Sequence, residues 1–287
     1  MAEHVCKIIN GKGLADDIQS KLKKKIDNFR ITPKLAVILV GHDERSEVYI
    51  EFKEKAAQEI GIEVKTIVLE EATKQARLER IIDELNNDEN IHGVLIQLPL
   101  PKHIKEKRII ELVDPSKDVD GFHPTNIGRL VANNETGIVP ATPKGIIRIL
   151  DSINFEFLGK HFVLVGSGYL VGRPLVSMLL NRYATVTICN KSTENLAELT
   201  QLADVVITGA GQPKIITREM IKKNATVIDA GIATTEGSVV GDVDFEGVCK
   251  VAKYITPVPG GVGPMTIAML LENTWQAMRQ QSGYEDC

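Results

Sequence analysis

The chain has 287 residues, of which 34 are Lys or Arg and 38 are Asp or Glu, so its formal net charge is −4. At roughly 150 residues per domain, this length predicts about two domains, each able to bury its own core. The hydrophobic fraction of 43% and the charged fraction of 25% are typical of a soluble globular protein. The mild acidic charge contains no block of like charges, which argues against nucleic acid or an acidic membrane as the main partner.

The sequence predicts no transmembrane helix, disulfide framework or metal cluster. No run approaches the roughly 18 consecutive apolar residues of a membrane span. The first residues, MAEHVCKIINGKG, contain neither a hydrophobic signal core nor an Arg-rich leader, so we expect a cytoplasmic protein. The cysteines and histidines form no C-x-x-C or H-E-x-x-H pair, so we expect no metal site. They are Cys6, Cys189, Cys249, Cys287, His4, His42, His92, His103, His123 and His161.

Short apolar runs alternate with segments of helical periodicity along most of the chain. The predicted strands are Lys34–Val40, Ile62–Leu69, Gly93–Leu98, His161–Gly166, Ala184–Cys189, Asp204–Thr208 and Ala225–Asp229. The predicted helices are Leu14–Phe29, Glu44–Ile60, Lys74–Leu85, Leu170–Leu180 and Thr217–Lys222. Short runs that are apolar throughout are typical of strands buried on both faces of a parallel sheet. The alternation predicts βαβ units and therefore an α/β protein.

Two Pro- and Gly-rich segments mark the predicted domain organisation. The sequence PATPKG, at the start of 140–160, predicts a rigid turn, followed by a helix over Gly145–Asp151 and a loop at Gly159. The segment TPVPGGVGP precedes a final helix of about 15 to 20 residues that begins at Met265. We assign residues 1–143 to a first domain and 144–264 to a second. We expect the helix 265–287 to pack back on the first domain and to fix a cleft between the two.

A glycine-rich turn joins the strand at 161–166 to a helix. Gly166, Gly168 and Gly172 leave room for backbone N–H groups to approach a pyrophosphate, and the helix N-terminus adds partial positive charge. The spacing is one residue longer than the usual G-x-G-x-x-G, and such turns also serve as tight connections. The position between a strand and a helix favours dinucleotide binding.

The loop after the following strand reads Asn190, Lys191, Ser192, Thr193. NAD-binding folds often carry an acidic residue here, which binds the ribose hydroxyls, and this chain has none. A lysine beside two hydroxyl residues can attract a 2′-phosphate instead, which favours NADP. The alternative interpretation is a solvated loop in which Ser192 or Thr193 caps the next helix. The two interpretations are compatible.

Tyr49 and Lys53 lie four residues apart, on one face of a predicted helix. That face continues with Ala56, Ala57 and Ile60, so Lys53 interrupts a mostly apolar stripe. The ammonium either extends to water or is held in a cleft with a lowered pKa. Spacing alone favours the first alternative. A tyrosine one turn away, able to bond the amine, shifts the balance only modestly.

Two further polar positions follow buried segments. Gln97 stands at the carboxyl end of a predicted strand, where open α/β sheets place ligand contacts, although it could also satisfy loop backbone groups. Asp118 and Asp120 precede Gly121, and spacing alone favours a turn or helix cap there. The functional alternative is a carboxylate directed at a heterocycle rich in N–H donors.

Five segments, in this order, resemble those of the methylenetetrahydrofolate dehydrogenase/cyclohydrolase family, the FolD family. They are YIEFKEKA (Tyr49–Ala56), QLPLP (Gln97–Pro101), KDVDGF (Lys117–Phe122), PATPKG (Pro140–Gly145) and TPVPGGVGPMT (Thr256–Thr266). The resemblance covers essentially the whole chain. It implies two α/β domains flanking a cleft, with folate against the N-terminal domain and a Rossmann-type C-terminal domain that binds the dinucleotide. It also implies a homodimer.

The activity implied by the resemblance has two steps. 5,10-Methylenetetrahydrofolate is oxidised by NADP to 5,10-methenyltetrahydrofolate, which is then hydrolysed to 10-formyltetrahydrofolate. These reactions belong to one-carbon metabolism and serve purine biosynthesis. The alternative is a folate dehydrogenase of the same fold with NAD preference or weak cyclohydrolase activity. A nucleotide-sensing protein without catalysis is disfavoured, because the family's lysine and aspartate are both present.

The resemblance also assigns roles to individual residues. It implies that Lys53 is the catalytic lysine, that Tyr49 stacks on or orients the folate, and that Gln97 bonds and tunes the lysine. It implies that Asp120 binds the amino and ring N–H donors of the pterin. The remaining substrate-binding residues are Pro259, Gly260 and Gly261. The cofactor-binding residues are Gly166, Ser167, Gly168, Val171, Gly172, Arg173, Asn190, Lys191, Ser192 and Ile232.

The chain departs from the family pattern at three places. The family often has G-R-S-x-x-V-G at the turn, where its Arg contacts the 2′-phosphate of NADP, and this chain has Ser167 in place of that Arg. The usual C-H-S after the next strand is here Cys189, Asn190, Lys191. Lys191 or Arg173 can supply the missing charge. Ala141 replaces a common cysteine, which we interpret as a packing change.

Overall fold

The computed structural model describes residues 6–41, 44–235 and 238–283. The chain folds into two compact units. One contains the N-terminal residues up to Asp16 together with Thr142–Thr266, and the other contains Asp17–Ala141 and the residues from Ile267 onward. Within the described residues their main sheets have six and three strands, so we call them the six-stranded unit and the three-stranded unit.

The elements follow one another in strand–helix alternation. In chain order they are β1 (Lys7–Ile8), α1 (Gly11–Asp27), β2 (Lys34–Val40), α2 (Glu44–Glu59), β3 (Glu63–Leu69), α3 (Gln75–Asn87), β4 (Gly93–Ile96), α4 (Glu106–Ile110), α5 (Pro124–Val131), α6 (Ala141–Ser152), β5 (His161–Val165), α7 (Gly172–Leu180), β6 (Thr185–Cys189), α8 (Leu196–Gln201), β7 (Val205–Thr208), a 3₁₀ helix (Arg218–Met220), β8 (Thr226–Asp229), β9 (Ala233–Thr235), β10 (Ser238–Val240), α9 (Phe245–Cys249), β11 (Tyr254–Ile255) and α10 (Val262–Gln281). The predicted α/β class is confirmed.

The three-stranded unit has a parallel sheet in the order β3-β2-β4. In the central strand β2, every residue from Leu35 to Val40 is buried, because the sheet is covered on both faces. Helix α3 buries Leu78, Ile82 and Leu85, which share one helical face at spacings of four and three residues. This packing fixes the carboxyl end of β4, after which Gln97 follows.

Helix α10 begins at Val262, three residues before the predicted start, and its residues from Ile267 belong to the three-stranded unit. There the buried side chain of Asn273 donates to the carbonyl oxygens of Val119 and Val139, both at 2.8 Å. The Trp275 ring packs edge-on against Phe29, with 5.0 Å between ring centroids. Asn273 thereby fixes the backbone between the two aspartates of the KDVDGF segment.

The six-stranded unit has a parallel sheet in the order β1-β11-β8-β7-β5-β6. Strand β5 lies between β6, which follows it in the chain, and β7, which comes next. The chain passes from β5 to β6 on one side and then crosses back to β7 on the other side, so the carboxyl end of β5 is a topological switch point. Open α/β sheets bind their ligands beyond such points. Strands β9 and β10 pair separately, as an antiparallel ribbon.

Two local predictions were wrong. PATPKG is not a rigid turn, because α6 begins at Ala141 and includes Pro143 in its first turn, where the missing N–H of proline is not needed. The helix predicted over Thr217–Lys222 is only the short 3₁₀ helix. The backbone N–H of Ile216 donates to Asp242 at 3.0 Å and its carbonyl accepts from Asp244 at 2.8 Å, which keeps the preceding chain extended.

Several elements were not predicted, since each has eight residues or fewer and so carries little periodic signal. They are β1, β9, β10, β11, α4, α5, α8 and α9. No helix in the described part of the chain is long and apolar enough to cross a membrane. Over residues 6–41, 44–235 and 238–283, no group of three or more His, Cys, Asp or Glu side chains is placed to hold a metal ion. Cys6, Cys189 and Cys249 are free thiols, whereas His4, His42 and Cys287 lie outside the described residues.

Candidate active site

Lys53 forms a hydrogen bond inside the three-stranded unit. Its Nζ donates to Oε1 of Gln97 at 3.0 Å. The Gln97 Nε2 donates to the carbonyl oxygen of Leu98 at 2.9 Å, which fixes the amide with its oxygen towards the lysine. The backbone N–H of Gln97 donates to Ile38 at 2.9 Å and continues the sheet ladder. The amine is therefore held inside the unit, and does not extend to water as spacing alone favours.

Burial acts on both charged groups of this site. Loss of hydration lowers the pKa of Lys53 below its ordinary 10.5, and the negative charge of Asp120 only partly offsets this effect. Burial raises the pKa of Asp120 to about 6, against the opposing charge of Lys53 and with a smaller contribution from Asp118. Asp120 borders a cavity of about 20 Å³ that is otherwise mostly apolar, with Leu98 and Phe122 in its wall. Both groups are thus shifted towards their neutral forms.

Tyr49 lies one helical turn before Lys53 and is partly buried. Loss of hydration raises the pKa of its hydroxyl, which therefore stays protonated at neutral pH. In the described part of the chain the hydroxyl makes no hydrogen bond, and the amine of Lys53 is bonded to Gln97 and not to Tyr49. The tyrosine ring and hydroxyl thus remain available to a ligand.

The two aspartates of KDVDGF have different surroundings. The buried Asp118 accepts from the backbone N–H groups of Gly121 at 3.1 Å and His123 at 2.7 Å, and from Nδ2 of Asn126 at 2.9 Å. It builds the turn that spacing predicts. Asp120 accepts no hydrogen bond from any described residue, although it is only partly exposed. Of the two carboxylates, it is therefore that of Asp120 that can accept hydrogen bonds from a ligand.

The neighbours of these aspartates are explained by packing. Lys117 is buried, and its Nζ donates to the carbonyl oxygens of Leu85, Asn86 and Asp88 at 2.8–3.0 Å, which closes the C-terminal end of α3. Gly121 has φ +76°, and a Cβ there would lie 2.6 Å from the backbone nitrogen of Pro140. The KDVDGF segment is therefore mainly a structural turn from which Asp120 projects as the free carboxylate.

The glycine-rich turn begins directly after β5, at the switch point of the six-stranded sheet. Gly166 has φ +125°, and a Cβ there would lie 2.6 Å from the carbonyl oxygen of Gly209. A Cβ at Gly172 would lie 2.0 Å from the carbonyl oxygen of Gly166. Packing within the protein thus requires both glycines. A Cβ at Gly168 would meet nothing within 4 Å, so that position faces open space where a pyrophosphate can approach the backbone.

Three other predicted cofactor residues surround this turn. Val171 immediately precedes α7. The exposed Arg173 folds back on the turn, because its Nε donates to the carbonyl oxygen of Ser167 at 3.2 Å and its backbone N–H donates to Gly168 at 3.1 Å. Its guanidinium thus lies against the turn, with donor groups to spare for an anion.

The loop after β6 contains an exposed lysine in a tight turn. Oδ1 of Asn190 accepts from the backbone N–H of Ser192 at 2.9 Å, and the Asn190 N–H donates to Oγ1 of Thr193 at 2.8 Å. Lys191, at the tip, is exposed. Helix α8 begins only at Leu196, so the alternative interpretation, in which Ser192 or Thr193 caps the next helix, was wrong: the Thr193 hydroxyl and the Ser192 backbone N–H close this turn instead.

A buried carboxylate that the sequence reasoning missed organises the loop after β7. Asp242 is fully buried, and its Oδ2 accepts from Oγ1 of Thr208 at 2.7 Å and from the N–H groups of Ala210 at 2.6 Å and Gly211 at 3.2 Å. Its Oδ1 accepts from the N–H of Gln212 at 2.8 Å. Because this loop abuts Gly166, Asp242 fixes one wall of the glycine turn.

The carboxylate of Asp229 likewise fixes the loop after β8 by accepting backbone hydrogen bonds. Its carboxylate accepts from the N–H groups of Gly231 at 2.9 Å, Asp242 at 3.1 Å and Val243 at 3.0 Å. Burial raises its pKa to about 6, despite these hydrogen bonds. The chain then exposes Ile232, whose surface is 51% accessible at the carboxyl edge of the sheet. The signal was available in the sequence, because Asp229 ends a buried strand in the same way that Gln97 follows one.

The predicted residues separate into two groups by unit. Tyr49, Lys53, Gln97 and Asp120 belong to the three-stranded unit, whereas 259–261 belong to the six-stranded unit. In the latter segment Gly260 has φ +103° and its carbonyl oxygen accepts from the backbone N–H of Lys12 at 2.9 Å. A Cβ at Gly11 would lie 2.0 Å from the carbonyl oxygen of Gly261, so the start of α1 packs directly on this segment.

A parallel sheet with a glycine-rich turn at its switch point is the arrangement of dinucleotide-binding α/β oxidoreductases. The second site adds a lysine of lowered pKa with an amide and a free carboxylate, which suits proton transfer on a bound substrate. Residues 140–282 match the family described as tetrahydrofolate dehydrogenase/cyclohydrolase, NAD(P)-binding domain, and residues 9–120 match its catalytic domain. The chain belongs to the tetrahydrofolate dehydrogenase/cyclohydrolase family.

Similar proteins extend over the full length of the chain. A bifunctional protein FolD of Exiguobacterium sibiricum is 47% identical over 275 residues, which are 95% of this chain and 99% of that protein. The crystal structure of the bifunctional FolD enzyme from Campylobacter jejuni has a TM-score of 0.94 at 44% identity, covering 96% of this chain and 99% of that one. The Trypanosoma brucei FolD structure, solved with NADP and an inhibitor, has a TM-score of 0.93 at 34% identity, covering 97% and 99%.

Proposed function

We propose that this protein oxidises 5,10-methylenetetrahydrofolate with NADP and then hydrolyses 5,10-methenyltetrahydrofolate to 10-formyltetrahydrofolate. Membership of the family across both of its domains supports the two activities. The observation that carries the hydrolytic step is the hydrogen bond from Lys53 to Gln97, in surroundings that lower the pKa of the lysine.

The glycine turn fits the cofactor. Gly168 leaves the turn open to a pyrophosphate, and the N-terminus of α7 lies directly behind it. We assign the 2′-phosphate to Lys191 and Arg173, since both are exposed cations at this end of the sheet. A bound NADP would supply the acceptor for the hydride of the folate. The buried carboxylates of Asp229 and Asp242 hold the adjoining loops in place for it.

The oxidation needs little acid–base chemistry from the protein. Hydride leaves the methylene carbon, and the nitrogen lone pairs of the folate stabilise the methenyl cation that remains. The protein contributes by holding the folate in a fixed orientation, which lowers the entropic part of the barrier. We assign this orientation to Asp120, whose carboxylate is free to accept the amino and ring N–H groups of the pterin, and to the ring of Tyr49.

The hydrolysis requires a proton to be removed and returned. Water adds to the methenyl carbon, and the neutral amine of Lys53 takes the proton that the water loses. The bond from this carbon to the ring nitrogen then breaks as the added hydroxyl loses its proton to solvent and becomes the formyl C=O, and the ammonium of Lys53 returns its proton to that nitrogen. Gln97 holds the amine in place throughout. A cationic substrate beside Lys53 further favours its neutral form.

A steady-state assay of the purified protein tests this proposal. With methylenetetrahydrofolate, we expect reduction of NADP in preference to NAD, followed by enzyme-dependent decay of the methenyl absorbance. Absence of nicotinamide reduction would contradict the proposal. Because Ser167 replaces the family's arginine, the specific alternative is a dehydrogenase that prefers NAD, and the ratio of the two initial rates decides between them.

We also propose that the protein acts as a homodimer in the cytoplasm, as the family resemblance implies. Size-exclusion chromatography coupled to light scattering measures the molar mass of the protein in solution directly. A mass of two chains supports the dimer, and a mass of one chain at working concentration contradicts it.

A further inference from the structure

The amino-terminal edge of the six-stranded sheet contains a cavity of about 340 Å³. Its lining includes Asp204, Lys160, Lys222, Lys223, Lys253 and Tyr254. Because the strands are parallel, the residues that enter them share this edge: Lys160 directly precedes β5, Asp204 precedes β7 and Lys253 precedes β11. The glycine turn follows the opposite end of β5, so this cavity is separate from the dinucleotide site.

The backbone around the cavity is fixed by the sheet. The N–H of Asp204 donates to His161 at 2.9 Å, the N–H of Thr226 donates to Asp204 at 3.0 Å, and the N–H of Lys253 donates to Ala225 at 2.8 Å. Asp204, Thr226 and Lys253 therefore lie at ladder positions. Lys223 lies in the turn before β8, which is held by the bond from the N–H of Asn224 to the carbonyl oxygen of Val251 at 2.8 Å. A site built on such a frame loses little backbone entropy when a ligand binds.

The charge of the lining is strongly positive, although the whole chain is acidic. Four lysines face a single carboxylate. Lys222 is paired with it, since its Nζ lies 2.8 Å from Oδ1 of Asp204. Within the described residues, Lys160, Lys223 and Lys253 form no ion pair shorter than 4.0 Å with a carboxylate. Their mutual repulsion would be relieved by a bound polyanion.

Two aromatic rings complete the wall. Phe155 is held edge-on against Phe157 and Phe162, with ring centroids 5.7 Å apart in both pairs. Tyr254 has the ammonium groups of Lys253 and Lys7 at 5.3 and 5.9 Å from its ring centroid. The cavity thus offers ring surface beside several ammonium groups, and these recognise different parts of one ligand.

We propose that this cavity binds a nucleoside polyphosphate, with the phosphates on Lys160, Lys223 and Lys253 and the base against Tyr254. Lysine ammonium groups are suitable phosphate donors, and rings of this kind stack on aromatic heterocycles. The volume lies within the roughly 300–1,000 Å³ of small-molecule sites. The site is independent of the proposed folate chemistry, because its residues belong to neither of the two sites described above.

The test is calorimetric titration of the full-length protein with ATP while NADP is saturating, so that the dinucleotide site is filled. We expect one further ATP per chain, with an affinity that falls as salt is added. The double variant Lys223→Ala, Lys253→Ala should bind at least tenfold more weakly. Lys250→Ala, an exposed lysine of the same unit outside the cavity, is the matched control and should bind as the wild type does.

The ring contact is tested separately with Tyr254→Leu. This variant should weaken ATP binding while leaving binding of inorganic tripolyphosphate unchanged, and a melting curve confirms that it folds. Three results would contradict the proposed site. They are no binding at millimolar ATP, loss of the ATP signal once NADP is saturating, and an unchanged affinity for ATP in the double-lysine variant. Equal affinity of the wild type for ATP and tripolyphosphate would overturn the assignment of a ring-bearing ligand.

Discussion

The substitution Asp242→Asn tests how the cofactor site is held together. The carboxylate of Asp242 accepts four hydrogen bonds of 2.6–3.2 Å, three on Oδ2 and one on Oδ1. The best placement of asparagine keeps its oxygen at the Oδ2 position, so that its NH₂ group faces the N–H of Gln212. One charge-assisted bond, worth about 1.5–3 kcal/mol, is then lost, because the N–H of the exposed Gln212 no longer meets an oxygen of residue 242 and bonds water instead.

This loss should appear as weaker NADP binding, because the loop 209–212 must be re-ordered when the cofactor binds. At about 1.4 kcal/mol for each factor of ten, we expect the Kd for NADP to rise at least tenfold. The hydrolysis of methenyltetrahydrofolate does not need NADP and is assigned to residues of the other unit. Its rate should therefore stay near that of the wild type, which also shows that the three-stranded unit remains folded.

Fluorescence titration with NADP and the methenyl absorbance assay measure the two effects on the same sample. Thr208→Val removes a single hydroxyl donor from the same carboxylate, worth about 1 kcal/mol, and should give a smaller loss of affinity. Glu246→Gln, at an exposed position of the same unit, is the matched control. An unchanged Kd for NADP in Asp242→Asn would mean that this carboxylate does not hold the cofactor loop, and a parallel loss of cyclohydrolase activity would mean that its effect is not confined to that loop.

Three further predictions concern the folate and nucleotide residues. Lys53→Met should lower cyclohydrolase turnover by about 10²–10⁴-fold while folate still binds. Lys55→Met, at an exposed position of the same helix, should leave the turnover unchanged. Equal turnover in the two variants would mean that Lys53 does not take part in the hydrolysis. Asp120→Asn should weaken folate binding about tenfold or more, as measured by equilibrium titration. A carboxyl group of pKa about 6 is protonated below that pH, loses its negative charge and turns one acceptor oxygen into an O–H donor. The wild-type folate affinity should therefore fall as the pH drops through 6, and the variant should lack this dependence; an identical pH profile would contradict the assignment. Lys191→Ala should reduce the preference for NADP over NAD, measured as the ratio of kcat/KM values, and an unchanged ratio would place the 2′-phosphate elsewhere.

Features that depend only on the residues of a single strand, helix or turn could be predicted from the sequence. The apolar runs identified β2 to β8 but not β1 and β11 of the six-stranded sheet, since longer parallel strands buried on two faces form continuous apolar runs. The glycine turn was found because it joins a strand to a helix. The short helices and strands were not predicted. The start of α6 was also not predicted, because a proline in the first turn of a helix cannot be distinguished in sequence from a proline in a loop.

The arrangement of side chains at the site depended on packing that the sequence does not display. KDVDGF contains two aspartates that are equivalent by spacing, and only the folded positions of His123 and Asn126 make Asp118 the turn residue and leave Asp120 free. Lys53 and Gln97 are 44 residues apart in sequence, so spacing favoured a solvated lysine. Asp242 was missed for the same reason, because the Thr208 hydroxyl that it bonds lies 34 residues away.

The amine of Lys53 should lose its proton more readily than an ordinary lysine. NMR titration of lysine side chains labelled at the ε-carbon measures this directly, with the Lys53 signal assigned by its absence from Lys53→Met. We expect a midpoint below 10.5, because loss of hydration outweighs the charge of Asp120. A midpoint at or above 10.5 would mean that the amine remains an ammonium at neutral pH, and would contradict its proposed role in taking a proton from water.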